Sequence, residues 1–231
     1  MIKTFLILIN LANFLYASQQ IVLVVSDDVN NSNAKLECYE DSKKIFPTVN
    51  VKLGKNGLGW GIGEINLTTQ DFQPLKYEGD KKAPMGVFKL TSVFGYANKM
   101  NIKMPYIYTN KNLICVDDSD SEVYNQIVYK RGDEKSFEYM RRKDHQYELG
   151  IVVQHNQKAL HSRGSCIFMH VKKTQNSSTA GCTAMSLGEI KKIVLWLDKK
   201  KNPILIQIAK SSAQEVLRIY PMLKDSKLLG R

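Results

Sequence analysis

The 231-residue chain is thin in the features that most often betray a function. It has four cysteines, and neither a CxxC pair nor a His/Cys set at ligand spacing accompanies them, so no metal and no cofactor is expected. Five glycines fall between residues 54 and 63, yet no GKS or GKT follows them and no long helical pattern opens behind, which argues against a phosphate-cradling loop and for a hairpin connection. Asp117, Asp118 and Asp120 lack the glycine and terminal glutamate of a calcium loop, so turn and capping roles are expected. Acidic residues are in deficit, 22 against 33 Lys and Arg, giving a formal charge of +11. The basic residues are dispersed, with only short clusters such as 199–201 and 141–143, and no zinc-finger spacing or RNP-like aromatic motif accompanies them. A nucleic-acid partner is therefore not expected, and the basic surface suits an anionic polymer. No internal repeat is evident.

What is present describes a globular protein: 43% hydrophobic and 24% charged residues in a chain long enough to bury a core. Residues 1–17 carry Lys3, an apolar run from Phe5 to Tyr16 and then small residues, the pattern of a secretory signal peptide. The run is too short for a comfortable transmembrane helix. The expected organisation is thus a signal peptide over 1–17, a globular domain over 20–210 and a helical C-terminal tail over 211–231, with export to the periplasm or cell envelope. In an exported chain four cysteines suggest disulfides. Cys166, within the apolar run CIFMHV, reads most simply as a buried small side chain, and the pairing of the others is open.

Strand signals dominate. QIVLVV at 20–25, KLECYEDS and KIFPTVNVKLG read as three strands, and Leu58, Trp60 and Ile62 alternate with glycines as in a strand closely approached by another backbone. APMG at 83–86 reads as a tight turn into a strand over 87–93, with Glu78 and Asp80 before it as solvated turn carboxylates. Residues 130–146 read as an exposed, partly helical excursion. Tyr147, Leu149, Ile151 and Val153 alternate as one face of a strand that His155 terminates, and PILIQIA at 203–209 supplies a core strand. Ser186 and Glu189 match a capping box ahead of a helix over 187 to about 199.

The stretch GSCIFMHVKKTQNSSTAGCTA, residues 164–184, carries the chemistry. Its first part reads as a strand ending near His170, its middle as a polar loop, and AGCTA as a close-packed turn holding Cys182. A thiolate is the strongest common side-chain nucleophile, and an imidazole can take its proton. His161 is a rival base by type but lies in a turn-like segment, and His145 reads as a surface residue.

GSCIFMH followed by STAGCTA resembles the active-site signature of the L,D-transpeptidase (YkuD) family, in its TAGC-type branch. KYEGDKKAPMGVF, CVDDSDSEVYNQIV and LGIVVQHN resemble three further segments of that family in the same order. The resemblance implies a mainly β, sandwich-like fold with few helices. It implies Cys182 as nucleophile and His170 as base, with backbone N–H groups around Gly181 to Thr183 as oxyanion donors. Thr179 matches the Ser or Thr of the motif, and Gly164 or Ser165 is a candidate for the group that orients His170. Ala180 stands where well-known members carry a second histidine, and Thr183 to Met185 stand where they carry Asn or Arg. The implied substrate is a peptidoglycan stem peptide, with transfer to an amine, or hydrolysis, as the second step. A wall-binding module without chemistry is the non-enzymatic alternative.

Overall fold

The computed structural model describes residues 18–65, 67 and 73–230; the signal-like segment 1–17 lies outside the described residues. The fold is mainly β, with short helices after the last sheet strands. Among the described residues no helix is long and apolar enough to cross a membrane.

The first strands fall where β-branched and alternating residues put them: β1 (Gln20–Ser26), β2 (Asn33–Glu40), β3 (Lys43–Lys44), β4 (Val49–Lys52) and β5 (Leu58–Trp60). Gly59 answers to the expected close approach, since a Cβ there would stand 3.1 Å from the backbone of Leu75. The long β6 (Ala83–Gly95) absorbs the APMG segment that sequence reads as a turn. It does so because both sides of this segment find ladders. β5 pairs with it in parallel, Gly59 opposite Pro84, and β14 (Ile204–Ala209) pairs antiparallel, Gln207 opposite Gly86. Pro84 serves as an acceptor only, its carbonyl taking a hydrogen bond from Gln207 Nε2 at 2.8 Å.

After β7 (Tyr106–Tyr108) the chain forms a separate three-stranded sheet, β10–β8–β9, from β8 (Leu113–Val116), β9 (Ile127–Tyr129) and β10 (Phe137–Tyr139). The charged excursion over 130–146 therefore contains a strand where a partial helix was expected. Its large apolar residues, Phe137, Tyr139 and Met140, are too closely spaced for a helical face, and pairing of Glu138 with Cys115 decides for a strand. The chain returns through β11 (Leu149–Val153), β12 (Phe168–Val171) and β13 (Thr183–Met185) to helix α1 (Leu187–Trp196), then β14 and helix α2 (Ala213–Ile219).

Neighbouring strands run β1–β14–β6–β11–β12–β13–β4–β2, and β2 pairs back onto β1. The faces of the sandwich are thus one sheet that closes on itself, removing most free edges. Inside lie Ile21, Leu23, Leu36, Phe88, Ile151, Met169 and Ile206, each 2% exposed or less. Helix α1 starts as the capping box requires: Glu189 N–H donates to Ser186 Oγ, and Ser186 N–H to Glu189 Oε2. It buries Ile190, Ile193 and Val194 and packs on β11 and β12. It ends three residues earlier than its apolar period suggests. Leu197 turns extended into the core, and Asp198 caps a fresh 3-10 turn while its N–H donates to Gln20 Oε1 at 2.7 Å.

The three-stranded sheet lies over the outer side of β6, β11 and β12, and a second apolar cluster fills the gap: Phe94, Leu113, Met140, Tyr147 and Phe168, with Cys115, Cys166 and Cys182 among them. Cys166 is bonded to Cys115, so it is half of a disulfide and not the free apolar thiol expected from its surroundings; Cys38 is the buried free cysteine besides Cys182. The bond joins β8 to the segment just before β12. Its two ends are 51 residues apart, so replacing both cysteines by alanine is expected to lower the free energy of unfolding by about 4 kcal/mol on chain-entropy grounds, read from urea midpoints. Ser186→Ala should cost about 1 kcal/mol in the same assay, because it removes the cap.

Candidate active site

Four residues stand in line across the sheet: Phe94 opposite Gly150, Gly150 opposite His170, and His170 opposite Ala184. Large rings alternate with the two smallest side chains, and this makes room for an imidazole on the crowded outer face. A Cβ at Gly150 would lie 2.1 Å from the Phe94 ring. Tyr147 closes the row from one end. Its ring meets those of Phe94, Phe168 and His170 edge-on, with centroids 5.6, 5.5 and 5.3 Å apart.

His170 is 4% exposed. Its Nδ1 lies 2.8 Å from the carbonyl of Val171, an oxygen that can only accept, so Nδ1 carries the proton and Nε2 is left as the acceptor. Burial pushes its pKa down to about 4, with the positive charge of Arg142 acting in the same direction and the Val171 carbonyl opposing both. The group is a neutral base at neutral pH. The orienting partner is thus the next residue's main chain. Ser165 and Gly164, the candidates suggested by the family pattern, are engaged elsewhere: Ser165 Oγ donates to Glu78 Oε2 at 2.7 Å, and the Gly164 carbonyl accepts from Asn156.

Cys182 immediately precedes β13, on the strand beside His170. Its turn is tied down from several sides. Thr179 N–H donates to Leu53 O and Lys55 N–H to Thr179 O, both at 2.9 Å, and Thr179 Oγ1 donates to Cys182 O at 2.7 Å. Gly181 N–H donates to Thr179 Oγ1 at 3.1 Å, so this amide is occupied inside the turn. Thr183 Oγ1 donates to the buried Gln207 at 2.6 Å, which anchors the first residue of β13 and turns its hydroxyl away from the thiol. Ala180 is exposed. The Cys182 sulfur accepts from Phe168 N–H at 3.3 Å and lies 3.6 Å from Cys166 O, its own acceptor. Burial pushes the thiol pKa up to about 12, with the nearby Glu138 carboxylate acting in the same direction. Glu138 itself, its own pKa raised by burial, receives the Tyr147 hydroxyl. At rest Cys182 is therefore a thiol and His170 a neutral imidazole.

The other histidines are placed apart. His161 is exposed and lies 3.1 Å from Asp120, and His145 is exposed beside Glu148. His155 is buried with both nitrogens in use, Nδ1 accepting from Ile62 N–H and Nε2 facing Arg163 O. Glu78 and Asp80 are less free than sequence suggests. Glu78 accepts from Tyr124 OH at 2.5 Å as well as from Ser165, and Asp80 accepts from Lys76, Tyr77 N–H and Lys82 N–H. The Val171 carbonyl, Tyr147 and Glu138 carry no sequence signal of their own.

A closed, mainly β domain with a cysteine turn and a histidine on adjoining parallel strands defines the class. The model of the YkuD family, the L,D-transpeptidase catalytic domain, matches residues 27–206, and the chain belongs to that family of cell-wall enzymes. A comparison with curated proteins returns no match. Among solved structures, a mutant of the helical cell shape determining protein Pgp2 from Campylobacter jejuni is similar at 16% identity and a TM-score of 0.40, covering 87% of this chain and 53% of that one. The chain spans about half the length of that protein.

Two buried histidines, His155 and His170, each have a pKa pushed from 6.5 to about 4 by burial. Above pH 6.5 neither folded nor unfolded chain holds these protons, while between 6.5 and 4 the unfolded chain takes them up and the folded chain does not. Stability is therefore expected to fall across that window, by on the order of 3 kcal/mol per histidine once pH has dropped below the folded value. Urea midpoints measured from pH 7 to pH 4 check this, and His170→Asn should flatten the slope.

Proposed function

We propose that the chain is an exported L,D-transpeptidase acting on peptidoglycan stem peptides, with Cys182 as nucleophile and His170 as base. The observation that carries the reading is the placement of His170 on β12 and of Cys182 directly before the adjoining strand β13, with the imidazole tautomer set by Val171 O so that Nε2 is the acceptor. The Cys182 sulfur attacks the amide carbonyl that follows the L-centre of the stem diamino acid, and its proton passes to His170 Nε2. Collapse of the tetrahedral adduct breaks the C–N bond, and the imidazolium returns the proton to the departing D-alanine amine. A thioester remains. An amine from a second stem then attacks it, losing a proton to His170, and expulsion of the sulfur re-forms the thiol as that proton returns.

The oxyanion needs N–H donors beside the thioester carbon. Since the Gly181 amide serves Thr179, the amide of Cys182 itself is the first candidate, with that of Thr183 next to it. Starting from a neutral pair suits this chemistry. Proton transfer occurs as the carbon–sulfur bond forms, so the buried site never holds an unpaired thiolate for long. The +11 charge supports an anionic wall polymer as partner, and the signal-like residues 1–17 support export.

Purified protein incubated with tetrapeptide muropeptides should yield cross-linked dimers by mass. Tripeptide monomers without dimers would overturn transfer in favour of an L,D-carboxypeptidase, in which water takes the place of the amine. Cys182→Ala is expected to abolish turnover of either kind, and His170→Ala to reduce kcat by roughly 10²- to 10⁴-fold with the fold intact. Unchanged turnover in Cys182→Ala would remove the reading altogether, and would favour a wall-binding module.

A further inference from the structure

Lys76 is only 3% exposed although it carries a charge, and lysine is rarely buried unless its ammonium is paired. Its aliphatic stem passes between the two glycine turns of the site. A Cβ at Gly164 would lie 3.1 Å from Lys76 Cε and 3.3 Å from Cγ, and one at Gly181 would lie 3.9 Å from Cε. Gly164 also has a φ of +92°, so both space and backbone conformation call for glycine there. Nζ donates to Asp80 Oδ1 at 2.6 Å and to Tyr77 O at 2.5 Å. Asp80 is held in turn by the N–H groups of Tyr77 and Lys82 at 2.7 and 2.8 Å. Arg163 Nε donates to the Lys76 carbonyl at 3.1 Å, joining this knot to the segment that leads into Cys166.

An apolar side chain could fill the space between the glycines without the cost of desolvating a charge. A charge is nonetheless kept here, paired with Asp80. Two of its three protons are used by Asp80 and Tyr77, and the nucleophile turn lies along its stem. We propose that Lys76 is a positioning residue of this site, bracing the Gly164 and Gly181 turns and supplying a buried positive charge beside the turn that carries Cys182 as its sulfur becomes anionic. The direction of its effect agrees: Lys76 and Arg142 oppose the rise that burial and Glu138 impose on the Cys182 thiol. The other charged or titratable groups facing the knot are Asp80 and Lys82 from its own turn, and His155 and Arg163 from the segment before β12.

The inference rests on the proposed function only in taking Cys182 as the nucleophile, and its test needs no substrate. The rate of alkylation of Cys182 by iodoacetamide, read by peptide mapping on the full chain from pH 6 to 10, reports how readily the thiol ionises. Lys76→Met is expected to slow alkylation at pH 8 by roughly tenfold or more, a shift of one pKa unit or more upward. A Lys76→Met protein that unfolds cooperatively, keeps the Cys115–Cys166 bond and shows the wild-type pH profile would overturn the proposal. Should Lys76→Met fail to fold, Asp80→Asn decides, because it keeps an acceptor for Lys76 while removing the opposing charge. Faster alkylation is expected there, and an unchanged or slower rate would sink the idea. Loss of muropeptide turnover in the wild-type chain alongside these alkylation shifts would count against the substrate reading alone.

Discussion

A parallel register in which Met169 faces Thr183 and His170 faces Ala184 sets where a thiol at residue 182 can stand relative to an imidazole at residue 170. Much of the domain serves that register. Helix α1, begun by the Ser186–Glu189 box directly after β13, packs across β11 and β12 and clamps the strand pair from the core side. Thr183 is anchored through its hydroxyl to Gln207 of the central strand β14, and Thr179 to residues 53–55, so the turn between them has few ways to move. A slip of one residue would exchange the faces of β13, sending Ala184 to the core and closing the space beside His170.

The outer face solves a harder packing problem than the core does. It must hold an imidazole, a thiol and their cover in a buried setting, and it must leave His170 Nε2 as an acceptor. Small residues at 150 and 184 and a tautomer fixed by the main chain achieve the last of these. Because Val171 O follows directly after His170, the orienting group is part of the same strand and needs no separate element to deliver it. That economy leaves His170 Nδ1 with a main-chain partner, while Ser165 and Gly164 bond to Glu78 and Asn156.

Elements with strong local signals were legible in the chain: the β-branched run of β1, the alternation around Ile151, the capping box and the Cys/His stretch. What sequence misses depends on partners distant in the chain. APMG looks like a turn because Pro and Gly are turn formers, and only the ladders from β5 and β14 make it a strand. Residues 137–139 look like part of a charged excursion, and only pairing with β8 makes them a strand. Cys166 reads as an apolar core residue because its neighbours are apolar, while its partner Cys115 belongs to a sheet whose placement no local pattern announces. Glu78 and Asp80 read as solvated because turns are generally exposed, whereas Tyr124 and Ser165 reach Glu78 from other segments and Lys76 folds back onto Asp80 within the turn.

The disulfide and the thiol share one segment, and this links compartment to chemistry. Cys166 gives its sulfur to Cys115 and its carbonyl to the Cys182 thiol, while its N–H donates to Asn125 Oδ1 at 2.9 Å. The residue also has a φ of +53°, a left-handed conformation that a side chain adopts at a cost and that surrounding bonds must hold in place. The bond to β8 is the strongest of those restraints. In an oxidising compartment it forms and the carbonyl stays aimed at the sulfur; in a reducing one the restraint is lost at the residue that touches the Cys182 thiol. The same covalent link that fastens the three-stranded sheet over the thiol therefore also holds one of the sulfur's two main-chain contacts, so cover and Cys182 are positioned as a unit.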